Sequence, residues 1–425
     1  MKPIGLNIKH NVLHIGKYNL SEVAKEFKTP LYVFDELQLK TNILDYLENF
    51  KSDSFKTSVV YASKAFLTSE FVKYIKDFNI SMDAVSLGDM FIAKSNGFDM
   101  SRIVLHGNNK SNEELEYAVD NKVGLIVVDN LFELSNLIEI VSKKKILVNI
   151  LFRINPNIDA HTHKYIQTSN MESKFGTNIL DTVEIEKLIS LSKSSSSINL
   201  VGIHAHIGSQ IFEKEAFILE ANKLIEFVNS LNLKYSLNLT TLNLGGGFGI
   251  KYIEEDRAVP IKDMMITLIK HLEELVKSTN SLINHFMIEP GRSIVGRAGF
   301  TLYTISQIKK TFGKKEYLFI DGGMADNIRP ALYDAIYSVD VVNNPEGVKT
   351  RLVDVVGKCC ESGDIIRRDV YVPNVSNGDT LIVYSTGAYN YTMSSNYNSL
   401  LRPGVILIGD TIKVLKERQK LEDLL

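Results

Sequence analysis

Short apolar runs alternate with longer stretches of mixed polarity along the first two-thirds of the chain. Each run is rich in β-branched residues, ends in a polar or glycine-rich cluster, and precedes residues with the spacing of an amphipathic helix. One helix is predicted over 112–119, where Ser111 and Glu114 have the S-x-x-E spacing of a capping box. The predicted strands cover residues 58–61, 80–85, 103–105, 125–128, 146–154, 200–206, 241–244 and 285–288.

Strands that alternate with helices pair in parallel through right-handed crossovers. Eight such units in about 250 residues are the size of a closed (β/α)₈ TIM-like barrel, with a doubly wound open sheet as the alternative. The barrel is favoured because the chemistry-bearing residues follow or close the strands and would share one mouth. These residues are Lys64, Asp83, His106, Asp129, Arg153, His206, 245–247 and 289–292.

A different pattern begins after Arg292, where short β-branched runs are separated by turn residues. They cover 303–308, 317–321, 351–356, 380–384 and 405–408, and they predict an antiparallel β-rich domain. Residues 12–15 and 31–34 are also strand-like, so the N-terminal segment is predicted to join this domain. The charged tail from Thr411 suggests a C-terminal helix. The predicted division is a barrel over 36–285 and a β-rich domain over 1–35 and 286–425.

Composition excludes several functional classes. The 425 residues allow two to three domains, and a net charge of -2 offers no general attraction for nucleic acid or an anionic membrane. No apolar run reaches the ~18 residues that a spanning helix needs. The adjacent cysteines 359 and 360 cannot form an ordinary disulfide, and the first residues lack a signal-peptide core, so a cytoplasmic location with reduced thiols is expected.

Lys64 follows the first barrel strand, between small and apolar residues. Considered alone, it is more simply a surface charge. At a barrel mouth, a partly desolvated ammonium has a lowered pKa and can form a Schiff base with an aldehyde. Lys64 is therefore a candidate nucleophile that needs an aldehyde partner.

Two glycine clusters follow the seventh and eighth strands, at 245–249 and 289–292. Glycines let backbone N–H groups approach an anion, and the loops after strands seven and eight are the usual phosphate site of this barrel. One such cluster is most often a tight turn. Two on consecutive strands indicate a phosphate site, to which Arg292 adds a charged fork.

Glu289 is either an ordinary strand-end carboxylate or the partner of a pyridinium proton, which would make the ring an electron sink. His204 and His206 alternate along one strand and are predicted to face the same side. A zinc pair is the alternative, but the cysteines lie far away and no third ligand is evident in the sequence. An imidazole stacked on an aromatic cofactor, with Ser209 near its phosphate, fits better.

Seven motifs between Lys64 and Asn398 carry a family resemblance: YASKA, HIGSQ, LGGGFG, EPGRS, DGGMADNIRPALYDA, CCESGD and GAYNYTMSSNYN. Their order and spacing resemble the fold type III decarboxylases that depend on pyridoxal 5'-phosphate (PLP), specifically those converting meso-diaminopimelate to L-lysine and carbon dioxide. The resemblance implies an alanine racemase-like barrel plus a β-rich domain, PLP as cofactor, and a homodimer whose active sites are shared across the interface.

The resemblance also assigns roles. It implies that Lys64 holds PLP covalently, that His206 lies on the ring face, and that Glu289 meets the pyridine nitrogen. The remaining residues expected to bind the cofactor, mostly at its phosphate, are Ser209, Gly246, Gly247, Gly291, Arg292 and Tyr389. The residues expected to bind substrate are Arg292, Arg329 and Tyr333 at the distal carboxylate, Glu361 at the distal ammonium, and Tyr389. Cys360 is the expected proton donor, contributed across the dimer interface.

Two of these assignments are weighed against simpler interpretations. Arg329 and Tyr333 would share one face of a helical turn that Pro330 begins. In isolation they are a surface arginine and a packed tyrosine. A free cysteine is most often a small buried hydrophobe; we apply that interpretation to Cys359 and not to Cys360.

The chain departs from the family pattern at two loops. Residues 86–89 (SLGD) replace a common Gly-Gly-Glu run, and Ser169-Asn170 replaces a common Thr-Gly pair. Three alternative functions remain open: a related decarboxylase of a basic amino acid or of carboxynorspermidine, a non-catalytic relative, and a racemase. Plain ornithine is disfavoured because it has no distal carboxylate for Arg329 and Tyr333, and no motif supplies a racemase's second base.

Overall fold

The computed structural model describes residues 1–158 and 173–425. The strands in these ranges are β1 (Leu6–Lys9), β2 (Val12–Ile15), β3 (Tyr18–Asn19), β4 (Leu31–Asp35), β5 (Lys56–Tyr61), β6 (Ser81–Ala84), β7 (Ile103–Leu105), β8 (Leu125–Val128), β9 (Val148–Asn155), β10 (Thr177–Asn178), β11 (Ile198–His204), β12 (Thr241–Asn243), β13 (His285–Ile288), β14 (Gly299–Lys310), β15 (Glu316–Ile320), β16 (Val339–Val341), β17 (Arg351–Val356), β18 (Ile365–Val372), β19 (Thr380–Tyr384), β20 (Gly404–Ile408) and β21 (Ile412–Lys416).

The α-helices in the same ranges are α1 (Leu20–Phe27), α2 (Glu36–Asn49), α3 (Ser69–Ile75), α4 (Leu87–Ser95), α5 (Asn112–Asp120), α6 (Leu131–Lys144), α7 (Thr182–Lys193), α8 (Lys214–Tyr235), α9 (Ile261–Thr279), α10 (Arg292–Val295) and α11 (Arg329–Tyr333). Short 3₁₀ helices cover Ser63–Ala65, Met100–Arg102, Tyr391–Met393, Tyr397–Ser399 and Leu421–Leu424. Within the described part of the chain, no helix combines the length and apolarity that crossing a membrane requires.

Eight parallel strands close into a barrel in the order β5, β6, β7, β8, β9, β11, β12, β13, with β13 paired to β5. Each predicted barrel strand corresponds to one of these eight, so the closed barrel is confirmed and the open sheet is wrong. Buried side chains from opposite strands pack together across the barrel, namely Val60, Val104, Val127, Leu151 and Met287. This apolar core supports a ring of strand ends on which the polar residues of one mouth are placed.

Serine side chains cap two of the barrel helices, α4 and α5. Ser111 and Glu114 form the predicted capping box, with Ser111 Oγ accepting from the Glu114 N–H at 3.1 Å. At the first departure from the family pattern, Ser86 caps α4 by accepting from the Asp89 N–H at 3.2 Å. The second departure, Ser169-Asn170, lies outside the described residues.

The β-rich sheet runs in the order β18, β17, β15, β14, β4, β20, β21, and β19 pairs with both β14 and β16. Strand β4 pairs antiparallel with β14 and parallel with β20, so the N-terminal segment joins this sheet as predicted. The sheet is mixed, because β15 and β17 are also parallel. The β-rich character of the domain is confirmed, but the expectation that its strands pair antiparallel is wrong for the β4–β20 and β15–β17 pairs.

The predicted C-terminal helix is also wrong. Residues Ile412–Lys416 form β21, which pairs antiparallel with β20, and only a short 3₁₀ helix follows at Leu421–Leu424. Leu415 is buried while Lys413 and Lys416 are exposed. Charged side chains of this kind suit an edge strand, where they discourage pairing with another chain.

The chain forms two compact units. One contains residues 44–249 and 259–291, and the other contains 1–43, 250–258 and 292–425. Their limits differ by several residues from the predicted boundaries at 35/36 and 285/286, and residues 250–258 group with the β-rich unit. Tyr252 explains part of that grouping, because it packs edge-on against Tyr337 with ring centroids 5.3 Å apart.

Helix α8 carries a buried carboxyl group. Glu220 has no exposed surface, and neither of its oxygens has a hydrogen-bond partner among the described residues. Burial raises the pKa of Glu220 well above 4.5. The Glu220 carboxyl therefore holds its proton more tightly in the folded chain than in the unfolded chain. The contribution of protonated Glu220 to the free energy of unfolding is full below pH 4.5 and is lost as the pH rises through the folded pKa.

Replacing Glu220 by glutamine, which does not ionise, should remove this loss of stability at higher pH. We expect Glu220→Gln to raise the melting temperature relative to the parent chain by an amount that grows between pH 5 and pH 8. The corresponding gain in the free energy of unfolding should reach on the order of 1–3 kcal/mol at pH 8. Calorimetry across this range measures the difference. Glu226→Gln on the same helix, where the side chain is exposed, is the matched control. A pH-independent difference for Glu220→Gln would contradict the assignment.

Candidate active site

Lys64 lies at the barrel mouth in the 3₁₀ helix that follows β5. Its side chain is exposed rather than desolvated. The helix is fixed from two sides, because Ala62 N–H donates to Pro290 O at 3.1 Å and Ser63 N–H donates to Asp83 Oδ1 at 2.6 Å. Burial raises the pKa of Asp83 to about 6, against the opposing charges of His106 and Lys64. The backbone that carries the Lys64 amine is thus hydrogen-bonded to residues at two neighbouring strand ends.

Glu289 follows β13 and accepts three hydrogen bonds from three other strand ends. His106 Nε2 and Asn243 Nδ2 both donate to Oε1 at 2.7 Å, and His204 Nε2 donates to Oε2 at 3.2 Å. Burial alone would raise the pKa of Glu289, but His106 and His204 outweigh it and hold the pKa well below 4.5. The site therefore contains a buried carboxylate that stays ionised.

His206 lies two residues beyond the end of β11. Its Nδ1 accepts from the Gly246 N–H at 3.2 Å. Burial, followed by the nearby cations Lys64 and Arg153, holds the pKa of His206 well below 6.5. The imidazole is thus neutral at physiological pH, and its ring orientation is set by a glycine of the 245–249 loop.

The loops after β11 and β12 lie against each other. Ile211 N–H donates to Gly247 O at 2.9 Å, and Gly249 N–H donates to Ile211 O at 3.0 Å. Gly247 has a φ of +107°, and a Cβ there would lie 2.3 Å from Gly208 O. Only glycine fits this approach, which places the segment containing Ser209 beside the 245–249 glycine cluster.

A second group of predicted site residues lies in the β-rich unit. Arg292 is 5% exposed, donates from Nη1 to Tyr252 Oη at 2.5 Å, and its guanidinium lies 4.9 Å from the centre of the Tyr389 ring. Arg329 is 7% exposed, and its guanidinium lies 5.1 Å from the Tyr333 ring and 5.7 Å from the Tyr389 ring. The structure thus brings Arg292, Arg329, Tyr333 and Tyr389 together.

Backbone and hydrogen-bond geometry hold this group in place. Arg329 and Tyr333 lie on helix α11, which has Pro330 in its first turn as predicted. Arg329 Nε donates to Tyr337 Oη at 2.9 Å, which fixes the guanidinium plane. Tyr389 has a φ of +62°, a backbone conformation that is an outlier for a bulky residue and is found mostly at functional sites.

Cys360 and Glu361 occupy a different element, the turn between β17 and β18. Both are exposed, and Cys360 N–H donates to Asn398 Oδ1 at 2.8 Å. Cys359 is buried, and burial raises the pKa of its thiol to about 11, which fits the interpretation of this residue as packing. The turn presents a thiol and a carboxylate side by side at the surface.

The sequence gives no role to several residues that the structure places at these sites. His106 and Asn243 hold Glu289, Asp83 holds the Lys64 helix, and Tyr252 holds Arg292. The only signal for the first three is their position at strand ends. Ligand atoms of His106, His204 and Glu289 lie within 4.8 Å of one another, but this group does not include His206, the other member of the zinc pair considered from the sequence. Hydrogen bonds from both histidines to Glu289 already account for the group.

Comparison with known proteins identifies the class first. Residues 38–296 match the sequence profile of the family "Pyridoxal-dependent decarboxylase, pyridoxal binding domain", and this range includes the barrel mouth with Lys64, His206 and Glu289. Proteins named diaminopimelate decarboxylase are 40% identical in Bacillus subtilis (98% of this chain, 95% of the relative) and 40% in Staphylococcus aureus (99% of each). The chain belongs to the diaminopimelate decarboxylase family.

A solved structure agrees over the whole chain. The crystal structure of diaminopimelate decarboxylase from M. jannaschii in co-complex with L-lysine has a TM-score of 0.93, is 32% identical, and covers 100% of this chain and 98% of that one. The residues present here fit PLP, the family's cofactor. An ionised carboxylate suits a pyridinium nitrogen, and an exposed lysine suits an aldehyde. A glycine loop that a Cβ would block suits a phosphate.

Proposed function

We propose that the chain decarboxylates meso-2,6-diaminopimelate to L-lysine and carbon dioxide in a PLP-dependent reaction. The observation that carries this proposal is the pair of arginines, Arg292 and Arg329, buried among tyrosines in a chain whose barrel presents Lys64 and an ionised Glu289. Bound PLP supplies an electron sink for the carbon that loses carbon dioxide. The arginine pair suits a substrate with a second carboxylate.

In the barrel, we assign Lys64 Nζ as the group that holds the cofactor covalently. Ionised Glu289 would accept a hydrogen bond from the protonated pyridine nitrogen and so favour the charged form of that nitrogen. His206, neutral and oriented by Gly246, would lie on the ring face, where a neutral imidazole adds no charge to oppose the pyridinium.

We assign the cofactor's phosphate to backbone N–H groups of Gly247 and Gly291, with Ser209 and Arg292 beside them. Gly246 is not assigned to the phosphate, because its N–H already donates to His206 Nδ1. A Cβ on Gly246 would lie 2.1 Å from Glu289 O. Gly246 therefore allows the loop to approach the Glu289 backbone while it orients the imidazole.

The distal carboxylate of the substrate is assigned to Arg292, Arg329 and Tyr333. Arg329 is suited to this because its guanidinium is buried and its plane is fixed by Tyr337. A planar guanidinium held in this way binds a carboxylate through two parallel hydrogen bonds. We assign the distal ammonium to Glu361, and contact with both cofactor and substrate to Tyr389.

The proton that replaces carbon dioxide is assigned to Cys360, which acts in the active site of a second protomer of a homodimer. Its exposure on the β17–β18 turn supports this role, because a group that serves another protomer must be accessible on its own chain. A thiol that must stay reduced also fits the expected cytoplasmic location.

The substrate assignment is tested by incubating the purified chain and PLP separately with meso-diaminopimelate, ornithine and carboxynorspermidine. We expect L-lysine and carbon dioxide from the first and turnover of the other two that is lower by on the order of 10²-fold or more, because neither offers the same distal head group to Arg329. Arg329→Lys keeps the charge but loses the planar fork, so it should raise KM for meso-diaminopimelate. Equal turnover of ornithine would contradict the assignment.

A further inference from the structure

The two oxygens of Glu289 are bound differently. Oε1 accepts two short hydrogen bonds, from His106 Nε2 and Asn243 Nδ2, both at 2.7 Å. Oε2 accepts one long contact, from His204 Nε2 at 3.2 Å. A carboxylate oxygen has two lone pairs, so Oε1 is fully occupied and Oε2 retains acceptor capacity.

The ionised carboxylate also determines where the imidazole protons lie. A carboxylate only accepts, so His106 and His204 must each carry hydrogen on Nε2. This leaves His204 Nδ1 as a buried acceptor that has no partner among the described residues. Burial lowers the pKa of His204 to about 4, so its ring is neutral. With its longer contact of 3.2 Å against 2.7 Å for His106, His204 is the weaker of the two imidazole donors.

His106 donates the shorter bond to Glu289, at 2.7 Å against 3.2 Å for His204. It is 6% exposed, its backbone N–H donates to Ala84 O at 2.8 Å, and its ring lies edge-on to the His204 ring with centroids 4.7 Å apart. The other charged or titratable groups that interact with Glu289 or its imidazole partners are Asp83, Arg153 and His206, and Lys64 acts in turn on Asp83 and His206. No hydrogen bond from these four to Glu289 is seen in the described part of the chain.

We propose that His106 is a positioning residue for the cofactor: with Asn243 it occupies Oε1 of Glu289, keeps the carboxylate ionised, and so presents Oε2 to the pyridine N–H. The inference rests on the proposed function in so far as the cofactor is PLP. The arrangement around the carboxylate can be tested without turnover.

Two polar variants make a matched pair. Glutamine at position 106 places an amide N–H where the histidine Nε2–H lies, whereas asparagine is too short to reach Glu289. In the full-length chain freed of PLP, ¹³C NMR of labelled glutamate carboxyls, with Glu289→Gln for assignment, reports the Glu289 titration midpoint. We expect His106→Asn to raise this midpoint by about one pH unit or more and His106→Gln to raise it by clearly less.

The PLP-loaded chain supplies the second measurement. With ¹⁵N-labelled PLP, the ring nitrogen signal should remain that of a protonated nitrogen in the parent chain and in His106→Gln, and should shift towards the unprotonated position in His106→Asn. His285→Gln, a substitution of a half-buried histidine at the start of β13, controls for general disturbance of the barrel. If the Asn and Gln variants behave alike in both measurements, the inference is overturned. If the chain does not decarboxylate meso-diaminopimelate but the carboxyl titration separates the variants, the proposed function fails and the positioning of Glu289 stands.

Discussion

The Lys64→Ala variant is expected to lose lysine formation from meso-diaminopimelate by on the order of 10³-fold or more, because a methyl group cannot hold the cofactor's aldehyde. Folding should be unaffected, since Lys64 is exposed and exposed substitutions usually change stability by less than about 0.5 kcal/mol. Lys64→Arg should be equally inactive, because a guanidinium stays protonated and is not a nucleophile. Coupled detection of L-lysine measures both variants.

Mapping where PLP is covalently attached distinguishes loss of the attachment lysine from a general loss of cofactor or substrate binding. Borohydride reduction of the PLP-loaded parent chain, followed by peptide mass analysis, should find the cofactor on the peptide that contains Lys64. Lys51→Ala, at another exposed lysine of the same unit, should retain activity and labelling. Label on a different lysine, or full activity in Lys64→Ala, would refute the assigned role.

Mixed protomers should recover activity that neither parent has. Lys64→Ala and Cys360→Ala are each expected to be inactive as pure proteins. If Cys360 serves the partner's active site, a heterodimer contains one site with both defects and one intact site. Random exchange then restores roughly a quarter of the unmutated activity, because half of the dimers are mixed and each has one working site of two.

Two controls define the result of mixing. Lys64→Ala mixed with Lys64→Arg should remain inactive, since no intact site can form. Cys359→Ala should be active without mixing, because this buried thiol has a pKa of about 11 and no assigned role. Subunit exchange is verified with tagged protomers. Absence of recovery despite verified exchange would exclude shared active sites.

Much of the barrel could be predicted because each of its strands has a recognisable local sequence pattern. Each is a short β-branched run bounded by polar or glycine residues, and β7 and β8 begin and end where the pattern placed them. The C-terminal tail could not be predicted in this way. Its composition favours a helix, but pairing with β20 outweighs that weak local preference.

The same limit applies to the active site. Lys64, Gly247 and Glu289 occur in compact motifs that can be found by eye. The hydrogen bond between His106 and Glu289 joins positions 183 residues apart and exists only because the barrel closes. Nothing in the neighbourhood of His106 or Asn243 in the sequence indicates their partner. Strand-end position is a signal that selects candidates, but only the register of the closed barrel shows which ones meet.

A crystal structure with PLP and L-lysine bound tests the central claim most directly. We expect PLP at the barrel mouth, with its ring nitrogen against Glu289 Oε2, its phosphate at the glycine loop of Gly247, and continuous density to Lys64 in crystals grown without lysine. With lysine present, the lysine carboxylate should lie on Arg329 and Tyr333, and the partner's Cys360 should approach the cofactor. PLP bound elsewhere, or a lysine carboxylate away from Arg329, would contradict the account.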